Sequence, residues 1–562
     1  MDPEGTLLVT ADVMARVDGA TISDIGIPAA VLMENAGQKA WAELIRRVDL
    51  GRRDVRSGTD VIVFVSGNGN NGGDCLVMAR QCLLEGQVTP RIVTVRNELR
   101  GAVADQWDIL SRLGCERLVW ENDRANVVRS LNEALWIVDG ITGTGLSGPL
   151  REGEGTLVRA INSAPGKVFS VDVPSGARDG GASGEEVVHA DVTVCTGYRK
   201  RCLYAPARRS AAGDIVWVDP GFPDLEYFSD RKWFSRAGTV LVADDAVAEV
   251  RPLLAGTSPD AHKGARGRLL IVGGSSGTEG AALLAAEAAG TAGAGMVAVH
   301  STAGVVQAGL AREPGVMWRS NPPEREDLDW ADALLVGPGW TEGSAEELTR
   351  LLSLAGARDV PVILDAAALR IVATLHGYPE QLSDTGESLV NVRMVLTPHP
   401  GELAALTGET VEVVGADPFG LLDDLSAFPM WRGKITVLLK ASASILRQRD
   451  GTFRVFDGRC PALGVAGSGD VLSGIIGARV AASVAAGRSA QPAGVKQSVD
   501  VKQSVNVKQP DILDRAVEEA VKEHLHRGRV LSTYRSAFSA GELSRFGMGA
   551  PIGETPKEAK GP

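Results

Sequence analysis

The sequence predicts an α/β fold built as two tandem domains, each organised around a parallel sheet. Short runs rich in valine, isoleucine and leucine alternate with helix-length segments, first over residues 61–194 and again over 269–439. Continuous apolar strands of this length are typical of a parallel sheet that helices cover on both faces. The pattern stops after a Pro- and Gly-rich stretch at 219–223 and then restarts, so we expect one domain over 1–230 and a second over 235–562.

Five strands are expected in the first domain and six in the second. The β-branched residues of these runs favour extended backbone. The predicted strands lie at 61–65, 91–95, 135–139, 168–172 and 191–194, and then at 269–272, 296–299, 333–336, 360–364, 394–396 and 435–439.

Two segments near the end of the chain are expected to lie outside this pattern. A six-residue repeat of the form Val-Lys-Gln-Ser-Val-Asp begins at Val495. It predicts a low-complexity surface insertion at about 490–510, with an amphipathic β-arm as the alternative. Residues 550–562 are expected to form a disordered tail.

The composition argues against several classes of protein. The 562 residues carry 70 acidic and 58 basic side chains, a formal charge of −12, and no basic block, so nucleic acid and anionic membranes are poor partners. We expect no signal peptide and no membrane span, because no uncharged apolar stretch is long enough. Six cysteines without a C-x-x-C pair and seven histidines without metal-finger spacing indicate reduced thiols in a cytoplasm and no transition-metal site.

The loop after the first strand, residues 67–74, reads Gly-Asn-Gly-Asn-Asn-Gly-Gly-Asp and matches G-x-G-x-x-G. A dinucleotide-binding site would add an acidic residue about 20 positions on, and Glu98 lies near that place. However, a pyrophosphate cradle uses bare backbone N–H groups, whereas this loop is rich in side-chain oxygens that suit a hard cation or a polar ring substituent. A plain Asn-Gly turn is the remaining alternative.

Two further strand ends carry an acid and a glycine-rich loop. Asp139 closes the third strand and is followed by the loop 143–149, and Asp172 closes the fourth and is followed by 173–176. Ligands of open parallel sheets bind beyond the carboxyl ends of the strands, so we expect the three loops to face a common cleft. The alternative is that each aspartate only caps the next helix.

These motifs together resemble a known family. They are the 67–74 loop, Val138-Asp139 with 143–146, the 171–176 segment, Ala190-Asp191 with Lys200, and the opening motifs 26–28 and 32–37. Over nearly all of residues 5–225 the chain resembles the NAD(P)H-hydrate epimerase family. Cys75 stands where that family more often has glycine.

The resemblance implies an epimerase of hydrated nicotinamide nucleotides that holds a potassium ion. Inverting C6 of the hydrate needs a proton donor and a proton acceptor beside a hydroxyl-bearing carbon, and we take Asp172 as the acid/base residue. The implied substrate contacts are Asn70, Asn71, Gly72, Gly73, Asp74, Gly143, Thr144, Gly145, Leu146, Ser147, Gly148, Pro149 and Asp172. The implied potassium ligands are Asn71, Asp139 and Ser175.

In the second half, the segment 466–470, Ala-Gly-Ser-Gly-Asp, opens an apolar helix. Glycines at a helix N-terminus present unpaired N–H groups to an anion, and the helix dipole adds partial positive charge. Asp470, in the first turn, can accept a proton from a substrate hydroxyl, an arrangement suited to phosphoryl transfer to an alcohol. An ordinary helix cap is the alternative.

Other motifs accompany that segment, at 262–264, 273–277, 280–282, 337–339, 397–402 and 440–444. Over about 240–485 the set resembles the ADP- or ATP-dependent NAD(P)H-hydrate dehydratase family, which has a ribokinase-like fold. The resemblance implies substrate contacts by Ala281, Gly339, His399 and Asp470, and nucleotide contacts by Lys440, Ala441, Ser442, Ala443, Ser444 and Gly469. For His399 the alternative is a hydrogen-bonded loop histidine. The chain departs from the family pattern at Ala367, Arg370, Ala441 and Val465.

The implied second reaction is phosphorylation of the C6 hydroxyl of the S hydrate by ADP or ATP with Mg²⁺, followed by loss of phosphate, with Asp470 as the base. An epimerase fused to such a dehydratase would repair both epimers of hydrated NADH (NADHX) and of hydrated NADPH (NADPHX). The competing hypotheses are a kinase for a hydroxymethylpyrimidine- or sugar-like metabolite with an accessory nucleotide-binding domain, and a first domain that binds without catalysing.

Overall fold

The computed structural model describes residues 7–48, 61–86, 88–182, 184–228, 231, 239–242, 263–375, 392–427, 435–489 and 511–547. It divides into two compact units, Met1–Leu241 with Glu412–Pro418, and Val242–Val411 with Phe419–Pro562. The predicted insertion at 490–510, the predicted tail and residues 232–238 at the expected domain boundary lie outside the described residues.

The first unit is built on an all-parallel sheet. Its strands are Leu7–Val9 (β1), Val61–Ser66 (β2), Thr89–Thr94 (β3), Arg117–Val119 (β4), Trp136–Gly140 (β5), Lys167–Val171 (β6), Val192–Thr196 (β7), Arg199–Lys200 (β8), Asp214–Val218 (β9) and Thr239–Val242 (β10). Seven of them form the sheet, in the order β4-β3-β2-β5-β6-β7-β9. β1 pairs separately, antiparallel to β10 and parallel to β8. All five strands predicted for this unit are confirmed, and the edge strands β4 and β9 are additional.

Helices cover both faces of this sheet. They are Ala11–Ala20 (α1), Ala29–Ile45 (α2), Asn70–Glu85 (α3), Gly101–Arg112 (α4), Arg124–Glu133 (α5) and Glu152–Ser163 (α6), with a π turn at Thr21–Ile25 and 3₁₀ turns at Arg201–Tyr204, Arg209–Ala212 and Leu225–Phe228. Successive side chains of β2 point to opposite faces. Ile62 and Phe64 enter one core with α2 and α3, while Val61, Val63 and Val65 enter another with α5 and α6. The predicted three-layer arrangement is therefore present.

The second unit has a mixed sheet. Its strands are Arg268–Val272 (β11), Met296–His300 (β12), Met317–Arg319 (β13), Ala333–Val336 (β14), Val362–Leu364 (β15), Met394–Leu396 (β16), Ile435–Leu439 (β17), Ala443–Arg447 (β18) and Phe453–Asp457 (β19). They are ordered β13-β12-β11-β14-β15-β16-β17-β18-β19. The first seven are parallel, and β18 and β19 add antiparallel neighbours. The six predicted strands are confirmed.

The helices after β10 are Glu279–Ala292 (α7), Ala303–Arg312 (α8), Arg325–Trp330 (α9), Ala345–Gly356 (α10), Ala367–Leu375 (α11), Pro400–Thr407 (α12), Val411–Ala416 (α13), Pro418–Ala427 (α14), Ser468–Ser489 (α15), Ile512–Tyr534 (α16) and Ala540–Arg545 (α17), with 3₁₀ turns at Lys263–Arg266 and Pro461–Leu463. Among the described helices, only Ser468–Arg488 is long and apolar enough to cross a membrane. Of the 18-residue apolar window within it, 67% is buried. It packs with α7 and α16 in the core of this unit, which accounts for its apolar composition.

Candidate functional site

A cavity of about 1000 Å³ opens in the first unit at the carboxyl ends of its parallel strands. The loops after β2, β5 and β6 all contribute to its wall, as do the end of β7 and helices α1 and α2. The predicted substrate residues that line it are Asn70, Asn71, Asp74, Asp172 and the whole of Gly143, Thr144, Gly145, Leu146, Ser147, Gly148 and Pro149. The convergence of the three loops agrees with the expectation for a parallel sheet.

Gly72 and Gly73 do not line this cavity. Both lie buried in the first turn of α3, where a side chain has no room: a Cβ on Gly72 would lie 2.2 Å from the Gly67 carbonyl oxygen, and one on Gly73 would lie 2.6 Å from Met33. A Cβ on Gly67 would in turn lie 1.9 Å from the Ile141 carbonyl oxygen. Gly67 therefore allows the loops after β2 and β5 to pass each other in close contact.

Asp139 lies beneath the cavity and does not face it, which corrects the expectation that all three acids share one cleft. Its carboxylate is fully buried and accepts hydrogen bonds from the backbone of Ile141 and Ser175 and from the hydroxyls of Ser170 and Ser175. Burial raises the pKa of this carboxyl despite those four donors. The Asp139 carboxylate therefore holds in place the loop that contains Ser175, and it does not cap a helix.

Oxygen atoms gather above Asp139. The Asn71 side chain donates through Nδ2 to the Thr142 carbonyl (2.9 Å), and its Oδ1 is buried without a hydrogen-bond partner. The Ser175 hydroxyl donates to Asp139 and lies 3.2 Å from the same Thr142 carbonyl. The structure thus brings Asn71, Asp139 and Ser175 together, and adds the Thr142 carbonyl, which sequence reasoning missed.

Cys75 is fully buried behind this group, with Gly140 directly against it. A Cβ on Gly140 would lie 2.5 Å from the Cys75 Cβ, so the glycine on β5 makes room for the side chain on α3. Burial raises the pKa of the Cys75 thiol well above its usual value. The Cys75 side chain, which stands where the family more often has glycine, is therefore accommodated in the interior and does not line the cavity.

Asp172 follows β6 with a left-handed backbone (φ 66°), a conformation that aspartate tolerates better than most residues. Its carboxylate pairs with the ammonium group of Lys200 and accepts a hydrogen bond from the Thr196 hydroxyl (3.0 Å). Lys200 is 1% exposed and also donates to the Thr196 carbonyl (2.7 Å). Burial opposes the charge on Lys200, but the neighbouring Asp172 carboxylate raises the pKa of the lysine overall.

Two more carboxyl groups line the cavity near that pair. Asp74, on α3, has its pKa raised well above the usual value by burial and then by the charges of Asp172 and Asp18. Asp18, on α1, has its pKa raised by burial and by Asp172. Asp18 could not be found from the sequence, because the chain places it far from the other loops and no motif marks it.

In the second unit, polar residues gather at the carboxyl ends of the central strands. Asp365 follows β15, Thr397 follows β16 and Lys440 follows β17. The Lys440 ammonium lies 2.6 Å from an Asp365 carboxylate oxygen, which also accepts a hydrogen bond from the Thr397 hydroxyl (2.8 Å). A Cβ on Gly469 would lie 3.6 Å from the Lys440 nitrogen, so the glycine turn that opens α15 faces this pair.

Asp470 lies beside the same group, in the first turn of α15. Burial, the Asp365 carboxylate and, more weakly, Glu402 raise the pKa of Asp470 to about 7, while Lys440 acts in the opposite direction. A carboxyl group that titrates near neutral pH is suited to proton transfer. The structure therefore brings together three of the predicted residues, Lys440, Gly469 and Asp470, and adds Asp365.

The other predicted residues of this unit are placed as follows. A Cβ on Gly339, which has a φ of 64°, would lie 2.9 Å from the Ala281 Cβ, so these two are neighbours. His399 caps α12: its Nδ1 accepts from the backbone of Gly401 and Glu402, while the side chain stays 54% exposed. Ala441 and Ser442 form the turn into β18, and Ala443 and Ser444 are the first residues of that strand, with Ala443 fully buried.

Comparisons with known proteins agree for both halves of the chain. Residues 29–202 match the family model "YjeF-related protein N-terminus", and residues 269–509 match "NAD(P)H-hydrate dehydratase". The bifunctional NAD(P)H-hydrate repair enzyme Nnr of Moorella thermoacetica is 32% identical over 84% of this chain and 87% of that protein. The protein of the same name from Coxiella burnetii is 31% identical over 83% of this chain and 88% of that protein.

Among solved structures, the ADP/ATP-dependent NAD(P)H-hydrate dehydratase of Bacillus subtilis, co-crystallised with ATP/Mg²⁺, is 22% identical and covers 54% of this chain and 94% of that chain, with a TM-score of 0.39.

The ion pair in the first unit gives a prediction about stability. Replacing Lys200 by methionine leaves the Asp172 carboxylate buried without its cation, and we expect the first unit to lose about 3–5 kcal/mol of unfolding free energy. Adding Asp172→Asn removes the stranded charge, so the double variant should regain most of that loss. Differential scanning calorimetry of the wild type, both single variants and the double variant measures it. A double variant no more stable than Lys200→Met would contradict the pairing.

Proposed function

The chain belongs to the family of bifunctional NAD(P)H-hydrate repair enzymes, and from this we infer that it repairs hydrated NADH and NADPH. It interconverts the R and S hydrates and then removes water from the S hydrate at the expense of a nucleotide. Membership rests on relatives that match most of the chain at 30% identity or more. The observation that carries the proposal is that each unit holds its own group of buried acids and a lysine at the carboxyl ends of its parallel strands.

We assign the epimerase to the first unit and the dehydratase to the second. The two family matches support this division, because residues 29–202 lie within the first unit and residues 269–411 and 419–509 within the second. The predicted domains, 1–230 and 235–562, correspond to the same assignment.

For epimerisation, the cavity in the first unit is proposed to enclose the hydrated nicotinamide. Its volume of about 1000 Å³ matches the upper size range of small-molecule sites. The loop 143–149 would contact the nucleotide, and Asp172 would exchange a proton at the C6 hydroxyl. The ion pair with Lys200 and the Thr196 hydrogen bond hold that carboxylate in one orientation.

The oxygen group above Asp139 fits a potassium ion. Hard cations prefer carbonyl, hydroxyl and carboxylate oxygens, and here the buried Asn71 Oδ1 has no hydrogen-bond partner. The Ser175 hydroxyl donates its proton to Asp139 and accepts a hydrogen bond from the Thr142 backbone N–H, which leaves one lone pair to face an ion. Asn71, Ser175 and Asp139 would hold the ion, with the Thr142 carbonyl beside them. A bound potassium ion supplies a fixed positive charge that orders the loops of the cavity.

For dehydration, Asp470 would accept the proton of the C6 hydroxyl while that oxygen attacks the terminal phosphorus of ADP or ATP. The P–O bond to the nucleotide breaks, and AMP or ADP leaves with its electron pair. The phosphate ester then departs from C6 with the C–O electrons, a proton leaves C5, and the C5–C6 double bond restores the reduced nicotinamide. Lys440 and the amides of the Gly469 turn would stabilise the phosphate charge during transfer.

The nucleotide is proposed to carry Mg²⁺. Among the described residues no group of three histidine, cysteine or acidic side chains is arranged to hold a metal ion. Protein-bound Mg²⁺ commonly keeps phosphate oxygens and water as ligands, so the nucleotide would supply much of its coordination and the ion would neutralise phosphate charge.

We also propose a reducing compartment, the cytoplasm, because all six cysteines are unpaired.

Separate loss of the two activities tests the assignment. In the full chain, Asp172→Asn should lower R-to-S epimerisation by about 100-fold or more and leave dehydration of the S hydrate unchanged. Asp470→Asn should lower dehydration of the S hydrate by about 100-fold or more and leave epimerisation unchanged. Dehydration is measured as the return of reduced-nicotinamide absorbance from each purified epimer of NADHX and NADPHX with ADP or ATP, and epimerisation as the interconversion of the R and S hydrates, separated by chromatography. An enzyme that turns over neither epimer, but phosphorylates a hydroxymethylpyrimidine or a sugar, would instead be the competing kinase. Wild-type epimerisation by Asp172→Asn would show that Asp172 is not the acid/base residue.

The potassium site gives an independent prediction. In thermal unfolding, KCl should stabilise the first unit relative to tetramethylammonium chloride, because an ion that binds only the folded state adds RT ln(1 + [L]/Kd). Asn71→Leu should abolish this gain, whereas Asn68→Leu, which removes a side chain that bonds the Glu98 carbonyl outside the oxygen group, should retain it. An equal response of Asn71→Leu and wild type to KCl would rule out these ligands.

A further inference from the structure

Two buried acids line the cavity, Asp74 and Asp172, and of these only Asp74 lacks a partner among the described residues. It stands in the first turn of α3, is only 9% exposed, and lines the cavity. Among the described residues, no hydrogen bond or ion pair reaches its carboxyl oxygens. Burying a carboxylate without a counter-charge or donors is costly, and such a group usually keeps its proton.

The charges that face Asp74 favour the same state. Asp172, after β6, and Asp18, on α1, both add negative charge, and Asp105, on α4, lines the same cavity. Lys200 is the one cation acting on Asp74 among the described residues, and its ammonium is already paired with Asp172. Burial is the largest cause of the raised pKa of Asp74, with the two carboxylates next.

Asp172 is in the opposite environment, because its carboxylate has a lysine and a threonine hydroxyl as partners. Two acids in one cavity, one buried without a partner and one paired with a cation, form the arrangement that separates a proton donor from a proton acceptor.

We propose that Asp74 is the second catalytic residue of the epimerase, the acid that protonates the departing C6 hydroxyl while the Asp172 carboxylate receives the proton of the incoming water. This goes beyond substrate binding by the 70–74 loop, and it rests on the proposed function.

The step balances without any further reactant. The C6–O bond breaks, its electron pair leaves with the oxygen, and that oxygen takes the Asp74 proton and departs as water. The lone pair of the ring nitrogen forms an N1=C6 iminium. Water then adds to the other face of C6, makes the new C–O bond and gives a proton to Asp172. Proton transfer from Asp172 to Asp74 through water restores the starting state, and the reverse reaction uses the same two groups.

The test compares Asp74→Asn with Asp108→Asn in the full chain. Asparagine has the shape of the carboxyl but cannot donate an acidic proton, so Asp74→Asn should lower kcat for epimerisation by about 100-fold or more. Hydrate affinity should change by no more than about threefold, and Asp108→Asn, which alters an exposed acid of α4 that does not line the cavity, should stay within about threefold in both quantities. Dehydration of the S hydrate by the same protein checks that the chain is intact.

The pH profile separates a proton donor from a merely structural residue. Wild-type epimerisation should fall on the alkaline side as Asp74 loses its proton, and the residual rate of Asp74→Asn should lack that fall. Epimerisation in H₂¹⁸O should place ¹⁸O at C6. A kcat for Asp74→Asn within threefold of wild type, an alkaline fall that persists in the variant, or inversion without ¹⁸O uptake would each overturn the proposal. Absence of epimerisation by the wild type would count against the proposed function instead.

Discussion

A parallel sheet covered by helices on both faces leaves its carboxyl edge as the place where polar groups can meet a ligand, and any charge placed there is partly removed from water. Each buried acid must then be hydrogen-bonded, paired or neutral. The first unit uses all three solutions: Asp139 accepts four hydrogen bonds, Asp172 pairs with Lys200, and Asp74 is held towards the neutral form by burial. These different solutions give chemically similar side chains different roles.

The second unit follows the same rule with a different outcome. The Asp365 carboxylate is paired with Lys440 and bonded by Thr397, and its charge acts on the neighbouring Asp470. That charge, together with burial, moves the pKa of Asp470 to about 7, where the group can both accept and release a proton at neutral pH. Lys440 thereby serves two groups, because it neutralises Asp365 and also lies against the glycine turn where phosphate is proposed to bind.

The sequence was sufficient for the central strands and for the loops that follow them, because buried parallel strands are marked by continuous apolar runs. It was insufficient for β4, β9, β13 and the β18–β19 pair, which are edge or antiparallel strands whose partly buried residues show no such run. Asp139 was expected to face the cavity, but it lies within β5, where side chains alternate between faces, and its carboxylate reaches Ser170 on the adjacent β6. Lys200 was part of a family motif, but its pairing with Asp172, like the roles of Asp18 and Asp365, depends on contacts between distant segments that the sequence alone does not show.

The central claim is that burial and neighbouring charge, not residue type alone, set the protonation of the acids at these sheet edges. The most direct measurement is a ¹³C NMR titration of the Asp470 carboxyl carbon in the full chain, assigned by comparison with Asp470→Asn. This account predicts an apparent pKa of about 7. A value near the ordinary ~4 of a solvated aspartate would contradict it.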